Sequence, residues 1–274
     1  MGRARAVDSF LPGTEGEVSE QDPSLVLTLA RGLQVMKCFT NKHPSLSNKE
    51  IAQLTGLSKP TVSRLTYTLS RFGYLRYSPS LRRYSLGLSV LTATHPLLSH
   101  MKIRQIARPL MQEMANEVGG AVSIGMQFGN RMIYVESCAS ASSVNPVVAG
   151  VGARIPIYRT AMGRAYICGL SPSERDLLLG TITPGWNKPG SETLVDVEDA
   201  LAQYKKWGFC LAALNLTPET RSVGVPLKGR VEDDLYAFNC GVPVYRLAQD
   251  QIQTEIGPRL MQLVRDVEIS LGLR

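Results

Sequence analysis

From residue 25 onward the apolar positions fall into a helical rhythm. Leu29, Leu33, Met36 and Phe39 recur at spacings of three and four, which gives one helix a single apolar stripe. His43-Pro44 interrupts it. The run Ser47-Asn48-Lys49-Glu50 has the form of a capping box, in which the serine caps the start and the glutamate reaches back to the cap's N–H. The short helix it opens turns Ile51 and Leu54 inward and stops at Gly56. Ser58 predicts the cap of a third helix, with Pro60 tolerated in its first turn, ending near Phe72-Gly73. Two short β-like runs follow, 74–77 and 84–86, joined through a tip at 78–83 that contains Ser, Pro and Arg. Three helices and a β-hairpin predict a winged helix-turn-helix over residues 25–87. Residues 88–101 read as a linking helix, and residues 1–24, poor in apolar side chains, as a flexible tail.

Behind residue 101 the rhythm changes. An amphipathic helix is predicted over 103–118, with Ile106, Leu110 and Met114 on one face and Pro109 as a source of a kink. Alternating runs at 121–128 and 131–138, separated by Gly129-Asn130, predict two strands, and further strands are expected at 208–216, 221–227 and 234–242. Helical stretches lie at about 160–169, 195–207 and 251–271. Antiparallel strands with flanking helices predict an α+β class, with 102–274 as the second domain.

The third helix of the first domain divides cleanly on a helical wheel. Val62, Leu65, Leu69 and Phe72 cluster on the side expected to face the core. Pro60, Ser63, Arg64, Tyr67 and Arg71 lie opposite, a face with cations and no acid. The charge of the whole chain is +7, but its distribution says more. Residues 25–100 hold ten Lys and Arg against one acid, Glu50, whereas residues 101–274 are almost balanced. A polyanion is thus the expected partner of the first domain alone. A major groove admits one α-helix and meets the residues at its N-terminal end. Ser58, Lys59, Pro60, Thr61, Ser63, Arg64 and Tyr67 are the candidate DNA contacts on this helix, joined by Arg82 and Arg83 at the hairpin tip. Arg31, at the start of the first helix, is a candidate for the DNA backbone or minor groove, or a plain surface charge.

Other classes find little support. No apolar run approaches the roughly 18 residues that cross a bilayer, and the first residues lack the apolar core of a signal peptide, so a cytoplasmic protein is expected. Cys38, Cys138, Cys168, Cys210 and Cys240 are scattered without a Cys-x-x-Cys pair, which fits reduced thiols and no structural metal. All three histidines (His43, His95, His100) precede the second domain, which therefore has no histidine base. No phosphate-binding loop is present, Gly150-Val151-Gly152 lacks the third glycine of a dinucleotide loop, and Glu232-Asp233-Asp234 reads as a solvated acidic turn. No catalytic residue and no cofactor is expected. An architectural DNA-binding protein without a ligand, or an enzyme with a DNA-binding appendage, remain the alternatives.

These stretches resemble the IclR family of bacterial transcription regulators. The resemblance is carried by Ala30-Arg31-Gly32-Leu33, by Asn48-Lys49-Glu50-Ile51-Ala52, by Thr55-Gly56-Leu57-Ser58-Lys59-Pro60-Thr61-Val62-Ser63-Arg64-Leu65, and by Phe72-Gly73-Tyr74-Leu75 and Arg83-Tyr84-Ser85-Leu86-Gly87. Ala107-Arg108-Pro109-Leu110 and Arg154-Ile155-Pro156-Ile157, followed by Thr160-Ala161-Met162-Gly163-Arg164-Ala165, extend it into the second domain. The resemblance implies a C-terminal GAF-like α/β effector-binding domain, a homodimer or homotetramer, and a palindromic double-stranded operator. It also implies a small-molecule effector, a carboxylate or aromatic acid, held by backbone N–H groups at Ala161 and Met162 with Ile155 beside them, and by Ser222 and Asn239. The family's usual acid is replaced by Ala212, a frequent serine by Gly241, and the Gly-Lys of the signature by Gly163-Arg164. Tyr158 and Arg159 stand where small residues are common, and are expected to help select the ligand.

Overall fold

The computed structural model describes residues 23–141 and 150–274. The first 22 residues of the expected tail lie outside the described residues. The chain divides into two compact units between His100 and Met101.

In the first unit, α1 (Leu27–Lys37) is followed by the short strand β1 (Ser45–Leu46), then α2 (Asn48–Thr55) and α3 (Lys59–Arg71). The capping box at Ser47 forms as the sequence predicts: Ser47 Oγ accepts from Glu50 N–H, and Glu50 Oε2 accepts from Ser47 N–H at 2.8 Å. Gly56 closes α2 in the left-handed region, at φ 70°, so the chain turns at once into α3. The hairpin of β2 (Leu75–Ser78) and β3 (Arg83–Leu86) joins β1 in a three-stranded antiparallel sheet, order β1-β3-β2. The helix α4 (Leu88–His100) follows. Val35, Phe39, Leu46, Ile51, Val62, Leu65 and Leu75 form the core.

Two expectations about that core need correction. Leu29 and Leu33 are 62% and 53% exposed, and α1 instead turns Gly32, Gln34 and Val35 inward. Phe72, assigned inward from the wheel of α3, is 70% exposed because it lies past the last turn, where the helical direction no longer applies.

The second unit is a layered α+β structure. A six-stranded sheet has the order β6-β5-β4-β9-β8-β7, with every neighbouring pair antiparallel. Its strands are β4 (Ala121–Phe128), β5 (Arg131–Ala139), β6 (Arg154–Pro156), β7 (Cys210–Leu211), β8 (Thr220–Pro226) and β9 (Ala237–Pro243). Two helices, α5 (Lys102–Val118) and α9 (Gly257–Ser270), cover one face, with a π-helical turn (Ile252–Ile256) preceding α9. Their core joins Ile103, Met111 and Leu260 to Val122, Ile124 and Phe238 of the sheet. On α5 the fully buried face is Ile103, Ala107 and Met111; Ile106 and Leu110 pack at its margin.

A second cluster holds α6 (Ala161–Gly169), α7 (Pro172–Ile182) and α8 (Glu192–Trp207) around Met132, Tyr134 and Ile155. The helix α7 was not foreseen, although Ser171 and Glu174 form its capping box. The strand expected over 208–216 is only two residues long. After Leu211 the chain leaves the sheet, and the N–H groups of Ala213 and Leu214 donate to the carbonyl of Arg159. No helix among the described residues is long and apolar enough to cross a membrane.

Two glycines let α6 lie directly on backbone. A Cβ on Gly163 would sit 1.7 Å from the carbonyl oxygen of Ile157, and one on Gly224 in β8 would sit 2.2 Å from that of Ala161. Neither neighbour is a side chain that could rotate away. Gly224→Ala is therefore expected to destabilise the second unit by about 1–3 kcal/mol, the usual range for overpacking. Denaturant unfolding checks this, and an unchanged midpoint would show that α6 is free to lift from β8.

Candidate nucleic-acid interface and ligand pocket

The polar face of α3 is set by its cap and by its packing. Ser58 Oγ accepts from Thr61 N–H, and its hydroxyl lies 2.8 Å from that of Thr61. Both expected contacts are therefore part of the cap, with Thr61 half-buried and Ser58 exposed. Thr66 is buried on the opposite side and bonds Asn48 Oδ1 at 3.1 Å, which locks α3 against α2. That lock leaves Lys59, Pro60, Ser63, Arg64, Tyr67 and Arg71 outward, all exposed. Lys59, Arg64, Arg71 and Arg82 make no ion pair among the described residues. Arg82 stands at the exposed hairpin tip with φ 51°. Arg31 is half-buried.

Arg83 differs from its expected role. It is the first residue of β3, and its guanidinium reaches back to Ser45 O at 2.9 Å and Glu50 Oε1 at 2.8 Å. Its charge is offset by Glu50, the one acid of residues 25–100, so Arg83 holds the hairpin to the start of α2. The hairpin tip is left with Arg82 as its cation.

In the second unit, Ile155, Ala161, Met162, Ser222 and Asn239, the five expected ligand residues, line one small cavity of about 10 Å³, roughly the room of a single water molecule. They come from β6, the start of α6, β8 and β9. Tyr134, Thr160, Ala212, Leu214, Asn215 and Leu216 complete the lining. Tyr134 was hidden in an ordinary alternating strand, and Asn215 in a stretch read as strand. Thr160 carried the legible signal of a helix cap. Tyr158 and Arg159 are not in the lining: Tyr158 packs beside the second cluster, and Arg159 pairs with Asp196.

The cavity has a definite polarity. Thr160 Oγ1 accepts from Gly163 N–H, and Thr160 O accepts from Arg164 N–H at 2.9 Å. Of the first turn of α6, the N–H groups of Ala161 and Met162 are left, at the end of the helix that favours negative charge. Elsewhere in the lining, Asn239 Oδ1 and Asn215 Oδ1 are buried without a hydrogen-bond partner. Burial pushes the Tyr134 phenol up to about 12, and a hydrogen bond from Asn239 partly offsets this, so Tyr134 stays protonated at neutral pH. None of the lining residues carries a charged side chain. The lining thus combines a helix N-terminus, apolar side chains of Ile155, Met162 and Leu214, and two asparagine acceptor oxygens.

The same architecture recurs in known proteins. Residues 28–79 match the IclR helix-turn-helix domain, and residues 95–269 match the domain described as bacterial transcriptional regulator IclR C-terminal. The HTH-type transcriptional regulator TsaQ1/TsaQ2 of Comamonas testosteroni is 27% identical over 259 residues, spanning 94% of this chain and 93% of its own. An IclR family transcriptional regulator from Brucella abortus superposes with a TM-score of 0.78 at 34% identity, covering 93% of this chain and 96% of that one. An IclR homologue from Microbacterium hydrocarbonoxydans, complexed with 4-hydroxybenzoate, shares the fold with a TM-score of 0.70 at 20% identity, covering 90% of this chain and 100% of that one. A helix-turn-helix unit joined to this kind of sheet domain defines a DNA-binding transcriptional regulator, not an enzyme. The chain belongs to the IclR family of bacterial transcriptional regulators.

The Glu50 bridge makes the first unit sensitive to acid. The Ser47 hydroxyl and N–H, with Arg83 beside them, hold the Glu50 carboxyl down to about 2. A depressed carboxylate contributes stability above its ordinary value near 4.5, and loses it as pH falls toward 2. Between those limits Glu50→Gln should flatten the pH dependence of the first unit's melting, whereas Arg82→Ala should leave it unchanged. Parallel acid melts of the two variants, followed by circular dichroism, check the contrast.

Proposed function

We propose that the chain is a ligand-responsive transcription regulator that works in the cytoplasm as a homodimer or homotetramer. It reads a palindromic operator through α3 and the hairpin, and a small organic carboxylate or aromatic acid is its effector. The observation that carries this reading is the cavity at the N-terminus of α6, whose lining includes two buried asparagine oxygens, Asn215 Oδ1 and Asn239 Oδ1, without a hydrogen-bond partner. An architectural protein without a ligand has no use for such buried, unmatched polarity, since each orphaned group costs about 1–3 kcal/mol.

For DNA, the reading rests on Lys59, Thr61, Ser63, Arg64 and Tyr67 of α3, with Ser58 and Pro60 at its start. Arg64 can bond a guanine at two acceptors, and the helix start favours a phosphate oxygen. Arg82 is assigned to the backbone at the hairpin tip, while Arg83 positions the hairpin. Arg31 is assigned to the DNA backbone or minor groove.

A second copy of the chain is the proposed cover for the apolar surface of the first unit. Val26, Leu29 and Leu33 lie at helical spacing along one side of α1, and Phe72, Leu88 and Leu91 are also exposed. Of the stripe legible in the sequence, Met36 and Phe39 pack in the core of the first unit, while Leu29 and Leu33 are exposed among the described residues. A palindrome asks for two reading heads, and a symmetric dimer supplies them.

The DNA reading is tested by anisotropy with the fragment upstream of the protein's own gene. With about five phosphate contacts per head, log affinity of a dimer should fall against log salt with a slope near −9. Salt-independent binding would contradict it. Arg64→Ala should cost about 1–3 kcal/mol on the cognate site and relax preference at one base; uniform weakening on all sequences would make Arg64 a phosphate contact.

The effector reading is tested by thermal shift against small carboxylates, beginning with 4-hydroxybenzoate, the ligand of the Microbacterium relative. A binder present at about 100 times its Kd should stabilise by about 2.7 kcal/mol. The shift should disappear in Asn239→Ala, and a shift of the same size in that variant would place the ligand elsewhere.

A further inference from the structure

The cysteines of the second unit are not equivalent. Cys168 lies in the last turn of α6 and Cys210 begins β7, and their sulfur atoms are 3.6 Å apart. Both are free thiols. Bonded sulfurs sit at about 2.05 Å, so roughly 1.5 Å of approach separates this pair from a disulfide. Cys168 is half-buried and open to a small solute, whereas Cys210 is fully buried behind it, with Ala200 O as a second partner at 3.5 Å. Cys38, Cys138 and Cys240 are buried in the cores with no second thiol against them among the described residues.

We propose that Cys168 and Cys210 form a redox pair, in which a hydroperoxide oxidises Cys168 and Cys210 resolves it to a disulfide that bridges α6 and β7. The Cys168 thiolate attacks one peroxide oxygen; the S–O bond forms, the O–O bond breaks, and the other oxygen leaves and takes up a proton. Cys168 is now a sulfenic acid. The Cys210 sulfur then attacks Cys168 Sγ, the S–O bond breaks, and the departing hydroxide takes the proton that Cys210 gives up and leaves as water. Two thiols and one hydroperoxide become one disulfide, one alcohol (or water) and one water, and the two electrons come from sulfur.

The surroundings divide these roles between the two thiols. The hydrogen bond from Cys210, with the guanidinium groups of Arg175 and Arg164 nearby, lowers the Cys168 thiol below its ordinary value despite its burial. The same hydrogen bond, together with burial, pushes Cys210 up, so the proton stays there until the second step. Burial also pushes Cys38 up to about 11 and Cys240 up to about 12, and raises Cys138. Thiolate is the reactive form, so oxidation should select Cys168.

The bridge would tie together two walls of the ligand cavity. The start of α6 carries Ala161 and Met162, and the chain leaving β7 carries Ala212, Leu214 and Asn215. That consequence rests on the effector reading above; formation of the disulfide does not.

The test uses the full-length reduced protein, hydrogen peroxide and mass spectrometry after alkylation. Free thiols should fall from five to three per chain, intact mass should drop by about 2 Da, and one linked peptide pair should contain Cys168 and Cys210. Dithiothreitol should reverse all three. Cys210→Ser should stop at a Cys168 sulfenic acid that dimedone traps, and Cys168→Ser should keep its remaining thiols. Cys210→Ala serves in place of Cys210→Ser if circular dichroism shows that variant unfolded. Five intact thiols in folded wild-type protein after peroxide treatment, or a link that involves another cysteine or a second chain, would overturn the proposal. Repeating the carboxylate thermal shift on oxidised protein then reads the coupling separately: a changed shift in wild type but not in Cys168→Ser supports it, and identical shifts confine the pair to redox chemistry without control of the cavity.

Discussion

The second unit depends on one close approach, the seating of α6 on the backbone of β8. Helix N-termini usually meet solvent, which satisfies their free N–H groups. Here Gly163 and Gly224 remove the two side chains that would hold the helix away, and the carbonyl oxygens of Ile157 and Ala161 fill the space. The helix start is thereby brought inside the structure, where the Thr160 hydroxyl caps it by accepting from Gly163 N–H and Ala161 and Met162 join the cavity lining. A dipole end in a sheltered site of lower dielectric acts more strongly than the same end in water.

Charge is separated between the two units, and so is the work. The first gathers cations on one side of α3, and Glu50, the one acid of residues 25–100, is committed to the internal bridge to Arg83. The second is nearly neutral overall, and its cavity is lined by uncharged groups. The cations of the first unit suit a polyanion, whereas the cavity of the second has no lysine or arginine in its lining.

Much of this was legible in the sequence where the signal is local. Ser47 with Glu50, and Ser58 ahead of Pro60, each announce a helix start through a short-range hydrogen bond of the serine, and each forms. The five expected ligand residues share one cavity although they come from four separate elements, a placement that family resemblance supplied and spacing alone could not. What failed was long-range. Periodicity finds the Leu29 and Leu33 stripe but does not say which surface it meets. Arg83 reads as a free hairpin cation because its partners, Ser45 and Glu50, are more than thirty residues away. Asn215 lay unseen because residues 208–216 have the composition of a strand, yet the chain turns away at Ala212 to follow the carbonyl of Arg159. The nearness of Cys168 and Cys210, 42 positions apart, is likewise a product of the fold.

The claim that the start of α6 is the seat of an anionic ligand is tested most directly by amide chemical shifts of the labelled full-length protein. The titrant is the first carboxylate found to raise its melting temperature. The account predicts that the Ala161 and Met162 backbone N–H signals move furthest, accompanied by the side-chain amides of Asn215 and Asn239. A saturating titration that leaves those two backbone signals in place, while signals elsewhere shift, would contradict it.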